Sequence, residues 1–203
     1  MRLVPVIATV CALSASVPVF AQTPSPQASA SPAEWIVYVD RAERFTINFP
    51  GQPTIRETTY EPQRGPMLPG RVYTVQDGPR RYTVTVINYA GANVNDVPHA
   101  VAWEAWNYRK RGGEITYDAF ANIDRINGHQ LHITHPDKTA SIVGMYLHAR
   151  RLYILEARVP PNTPGALHFQ QSLQILDEQG KRIRYNIDDN GDRTSRAVTA
   201  DAY

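Results

Sequence analysis

The stretch RVYTVQDGPRRYTVTVINY, residues 71–89, decides the fold. Two runs rich in Tyr, Thr and Val, 71–76 and 81–89, flank Asp77-Gly78-Pro79. The glycine there tolerates the left-handed backbone of a tight turn, and the proline interrupts strand pairing, so the two runs read as a β-hairpin. Along 81–89 the side chains alternate. Tyr82, Val84, Val86 and Asn88 share one face, and Thr83, Thr85, Ile87 and Tyr89 share the other; the first set reads as the core-facing one.

Working outward, strands dominate. Phe45-Thr46-Ile47-Asn48-Phe49 alternates apolar and polar until Pro50-Gly51 stops it, and 54–60 reads as an exposed, polar strand. Beyond the hairpin comes the one long helix, with Asp96 expected as its N-cap, Pro98 in its first turn and Gly112-Gly113 as its stop. On a helical wheel Val97, Val101, Ala105 and Tyr108 form a narrow apolar stripe, whereas Trp103 and Trp106 project from the opposite side. Strands follow at 115–120, 130–135, 141–148 and 152–159, the last two joined by a tight turn near Arg150. Pro160-Pro161 ends this series, Thr163-Pro164 opens a second, shorter helix carrying Leu167 and Phe169, and a final strand covers 182–187. The pattern predicts an α+β fold: a mostly antiparallel twisted sheet with one long and one short helix packed on it.

The chain ends differ from this core. Arg2, the apolar run 3–13 and the small-residue site Val19-Phe20-Ala21 read as an export signal cut near Ala21, with Ala28-Ser29-Ala30 as a second possible cut. The run is broken by Pro5 and Thr9 and falls short of the roughly 20 residues a bilayer-spanning helix needs. Residues 22–33, QTPSPQASASPA, have no charge and no large apolar side chain and read as a flexible spacer. The folded unit is then 34–187, with 188–203 as a flexible tail. Cys11 is the only cysteine, so it leaves with the signal and an ordinary hydrophobic core must supply stability. The expected location is periplasmic or secreted. With 21 Lys+Arg against 19 Asp+Glu, nucleic acid is excluded as a partner on bulk charge.

Two stretches resemble a known family. RFTINFPGQP, residues 44–53, is similar to the opening strand of PsbP-like domains, and Arg151-Leu152-Tyr153-Ile154-Leu155-Glu156-Ala157, followed by a short helix reaching Phe169 and Ser172-Leu173, is similar to their closing stretch. The resemblance covers most of 35–176. It implies an α/β/α sandwich built on an antiparallel sheet and used for binding rather than catalysis. It carries over no site residue, because the matching positions are core and turn residues.

Candidate chemistry is sparse. His129, His132 and His135 fall within seven residues, but on a strand His129 and His135 lie about 20 Å apart on one face while His132 points to the other. One metal ion would therefore need distant partners such as His148 or His168. Asp188, Asn190 and Asp192 have calcium-loop spacing, yet Arg193 stands where the turn glycine is needed and Thr199 where the closing glutamate is needed. There is no Gly-x-Ser-x-Gly elbow, no zinc-protease helix motif and no phosphate loop. No cofactor is expected.

Two binding candidates remain. One is Trp103 and Trp106 with Tyr108 and Arg109, an aromatic surface for a protein or glycan. The other is the set of paired cations Arg80-Arg81 and Arg150-Arg151, expected near one edge of the sheet to meet an anionic envelope component, with Arg182 and Arg184 as a further pair. The sequence thus points to an exported, non-catalytic binding or accessory protein. The alternatives are a metal-dependent or hydrolytic enzyme whose site assembles only in three dimensions, and an envelope structural protein that oligomerises through the exposed 54–60 strand.

Overall fold

The 71–89 hairpin supplies the second and third strands of a seven-stranded antiparallel sheet. The computed structural model of the chain describes residues 34–163, 166–191 and 193–197. The expected signal with its Ala21 and Ala30 cuts, the spacer and Pro164 lie outside the described residues. The chain runs β1 (Ile36–Asp40), β2 (Phe45–Phe49), β3 (Thr54–Tyr60), β4 (Leu68–Asp77), β5 (Arg80–Asn88), α1 (Ala100–Lys110), β6 (Glu114–Ile123), β7 (Ile126–Thr134), β8 (Ala140–His148), β9 (Arg151–Val159), α2 (Leu167–Gln171), β10 (Gln174–Ile175), β11 (Ile183–Ile187) and β12 (Arg193–Ala197). The large sheet has the order β3-β4-β5-β9-β8-β7-β6; β1, β2 and β10 form a smaller sheet, and β11 pairs with β12.

The period-two alternation is used on both faces of the large sheet. Tyr82, Val84 and Val86 of β5 join Tyr153, Leu155 and Ala157 of β9 in a core completed by Phe45, Ile47 and Phe49 of β2 and by Phe169 of α2. The opposite face carries Ile87, Leu131, Ile133, Val143 and Met145, covered by Ala100, Ala105 and Tyr108 of α1. The sheet is therefore central. One helix lies on each face, with the small sheet beside α2, and the fold is α+β as expected. Gly78 takes φ +55° in the two-residue turn that closes the hairpin, where Asp77 pairs with Arg80.

The structure departs from the sequence reading in five places. The second face of 81–89 is core as well, since Ile87 and Tyr89 are buried beneath the α1 layer. Asp96 makes no capping hydrogen bond: a single 3₁₀ turn, Val97–His99, holds Pro98 and α1 begins at Ala100. Proline fixes its own φ and supplies no N–H, which a short 3₁₀ lead-in tolerates. β1 is an additional strand that turns Tyr38 onto the core while the apolar Val37 and Val39 stay exposed, so its sequence shows no apolar/polar alternation. Residues 193–197 of the expected tail pair with β11, Ile187 opposite Arg193, around a turn at Asp188–Gly191. Finally, the two cation pairs sit at opposite ends of β5. Arg81 lies opposite Arg158, and Asn88 at the far end lies opposite Arg151, a separation of about 23 Å at the strand rise.

Gly113 shows why α1 stops where it does. It has φ +104°, and a Cβ there would lie 2.8 Å from Ile133 Cγ2 and 3.0 Å from the Thr134 carbonyl oxygen, so only glycine lets the chain turn over β7 into β6.

Candidate functional site

The site is built on α1 and the β6–β7 hairpin beneath it. α1 is anchored by a charge turned inward: the buried Glu104 carboxylate accepts from the Tyr60 hydroxyl at 2.7 Å and from Arg111 Nη2 at 2.9 Å. Arg109 fastens the C-terminal half of the helix to the hairpin. Its Nε and Nη2 donate to the two Asp118 oxygens at 2.7 and 2.8 Å, and His129 Nε2 donates to the same carboxylate at 2.6 Å. Hydrogen bonds from Arg109, with a further contribution from His129, hold the Asp118 carboxyl down at about 2.

Between the start of α1 and the hairpin runs a groove of about 710 Å³. Pro98, Val101 and Ala102 form its helix wall, and Phe120, Gly128 and His129 its strand wall. Phe120 is 93% exposed, with its ring edge-on to the His129 imidazole at 5.5 Å. A single exposed ring is ordinary, but here the ring forms one wall of a groove and extends its apolar lining. Gly128 is required by the opposite face of β7, where a Cβ would strike the Met145 carbonyl oxygen and the Tyr146 ring.

Ala102 is shared with a second concavity that also includes Trp103, Trp106 and Gln63. The two indoles stack at 4.7 Å with 23° between planes. Trp103 Nε1 donates to the Glu61 carbonyl at 3.3 Å, and Lys110 Nζ sits 4.1 Å from the Trp106 ring centre. Trp106 is 43% exposed. The aromatic shelf and the groove therefore adjoin at Ala102 of α1, and β6, an outer strand of the large sheet, borders the groove with its free edge.

The sequence candidates divide. Trp103 and Trp106 stand together on this surface, with Arg109 at its border as a structural clamp. Tyr108 points the other way, buried, and donates to Glu156 Oε2 at 3.0 Å; burial pushes its hydroxyl well above the usual range, so it remains a donor. Arg80 faces Asp77 at 3.8 Å. Arg150 donates to the Tyr89 and Ala92 carbonyls, and Arg151 to Glu43 and the Ala42 carbonyl, so this pair secures loops rather than offering free charge. Arg182 makes two bonds to Asp124 at 2.8 and 2.9 Å, and Arg184 stands 3.5 Å from the same carboxylate. Phe120, the most exposed aromatic of the site, was hidden in the sequence because an alternating strand does not reveal which face the fold leaves bare.

The histidines disperse. His129 meets Asp118, His132 lies against Tyr117 on the opposite face, His135 meets Ser141, His148 lies against Tyr185 and His168 against Trp35. Among the described residues no three His, Cys, Asp or Glu side chains converge as metal ligands, and no helix is long and apolar enough to cross a membrane. No protein-family model and no curated protein matches the sequence. Among solved structures the chain is similar to the solution structure of cyanobacterial PsbP (CyanoP) from Synechocystis sp. PCC 6803, at 9% identity and a TM-score of 0.47, over 75% of this chain and 98% of that one.

Proposed function

We propose that this is an exported, non-catalytic binding or accessory protein that holds an extended, apolar segment of a partner polypeptide along the groove between α1 and β6. The observation that carries the reading is Phe120, 93% exposed on the wall of a groove bordered by stacked indoles and by an unpaired strand edge. A free edge offers main-chain hydrogen bonds to an added strand, and the flanking apolar hollows select its side chains. The leader-like residues 1–21 and the Pro/Ser/Ala spacer support export with reach away from the point of entry.

Ser141 supports the non-catalytic reading. It is fully buried and gives its one proton to Glu156 Oε1 at 2.7 Å, so His135 Nε2 donates to it at 2.8 Å instead of drawing a proton from it. That is the reverse of an activated nucleophile.

The test is site-specific photocrosslinking in cells that make the protein, with benzoylphenylalanine in place of Phe120 and, separately, of Ile55, which is exposed on β3 at the far edge of the sheet. A discrete polypeptide adduct from position 120 and none from position 55 is expected. No adduct at 120, or the same adducts at both positions, overturns the reading.

A further inference from the structure

Beyond the C-terminus of α1 the helix no longer covers the large sheet, and a separate polar cavity of about 360 Å³ opens there. Its sheet wall is set by register. On the α1 face, Arg81 of β5 lies directly opposite Arg158 of β9, and Thr83 lies opposite Glu156 on the next rung of that face. Like charges directly opposite one another destabilise a ladder unless something answers them. Arg111 and Gly112 complete the rim from the helix side.

The floor is fixed internally. Glu156 accepts from Ser141 and from Tyr108, and Ser141 in turn accepts from His135, so these groups are already engaged with one another. Arg111 is answered by Glu104 at 2.9 Å while its guanidinium lies over the Tyr108 ring at 3.9 Å. Arg158 is answered at the mouth by Asp137 at 2.8 Å and donates through Nε to Thr139. Arg81 has no ion pair among the described residues. The cavity therefore presents Arg81, with no ion pair among the described residues, beside Arg158, over a floor where Glu156 keeps its charge but has both oxygens turned to the Tyr108 and Ser141 hydroxyls.

We propose that this cavity is a binding site for a small oxyanion, a carboxylate or a phosphate, gripped between Arg81 and Arg158. Arg81 offers a whole planar guanidinium fork, which matches both anions with paired N–H···O bonds, and Arg158, whose Nε and Nη2 are held by Thr139 and Asp137, adds its Nη1; an anion at this rung would relieve the repulsion between the two arginines. The site is independent of the α1–β6 groove: the two share no lining residue.

Calorimetric titration of the full-length protein at low ionic strength with inorganic phosphate, and separately with citrate, tests this and shows which anion chemistry is preferred. The expected result is saturable binding of at least one, weakened about tenfold or more in Arg81→Gln and unchanged in Arg80→Gln. Arg81 is exposed, so its loss leaves folding intact, which circular dichroism checks. Absence of binding by either anion up to about 10 mM, or equal binding by wild type and Arg81→Gln, overturns the proposal.

Discussion

Asp118 takes bonds from Arg109 and His129 and thereby ties α1 to β6 and β7. Its carboxyl titrates at about 2 in the folded chain, against an ordinary value of 3.8. A depressed carboxylate stabilises the fold at pH above its unfolded value, and that contribution disappears as pH falls through the folded value. Asp118→Asn should therefore lower the melting temperature at pH 7, and the gap to wild type should close between pH 4 and pH 2. Because the side chain is about a third exposed, solvent screening keeps the effect small, about 2 to 4 °C. Thermal melts across that pH range check it, and a gap as wide at pH 2 as at pH 7 contradicts it. Arg109 is placed by the sequence with the aromatic binding surface of Trp103, Trp106 and Tyr108. Its partner stands nine residues away, across the turn from α1 into β6, and no spacing rule pairs a helical arginine with a strand aspartate, so the clamp was invisible before folding.

α1 illustrates what element-level patterns miss. A wheel places Val97, Val101, Ala105 and Tyr108 on the inner side, yet Glu104 is buried with them because Tyr60 of β3 and Arg111 meet it there. A buried carboxylate reads as a surface residue until its partners are known. Glu104→Ala strands the Tyr60 hydroxyl against the helix and removes the helix's polar anchor. It should cost about 2–3 kcal/mol in denaturant unfolding, and a loss below about 0.5 kcal/mol would show that α1 is held by its apolar contacts alone. The strands were easier to read. One alternating set of β5 and of β9 packs against Phe45, Ile47 and Phe49 of β2 in the small sheet and against α2, so period two shows plainly in the residues. β1 and β12 show no such pattern: β1 is half-buried through Tyr38 but carries apolar Val37 and Val39 on its exposed side, and β12 pairs only with β11 among the described residues.

At the scale of the whole molecule, α1 divides one face of the sheet into two surfaces, an aromatic groove toward its N-terminus and an arginine-lined cavity beyond its C-terminus. Trp103 and Trp106 were legible as a candidate from the sequence, since two indoles opposite the apolar stripe have few reasons to be there. Phe120, and the pairing of Arg81 with Arg158, were not, because each depends on which strands become neighbours: β6 at the edge, β5 beside β9. The same topology separates Arg80-Arg81 from Arg150-Arg151, two pairs that near-turn positions alone placed together. The central claim is that the α1–β6 surface is where a partner polypeptide is held. The most direct measurement is affinity capture from envelope extract by tagged wild type, Phe120→Ser and Trp106→Ser, with the amount of each co-purifying protein quantified. The account predicts a specific partner on wild type whose recovery falls about tenfold or more on both variants. Equal recovery on all three proteins would contradict it.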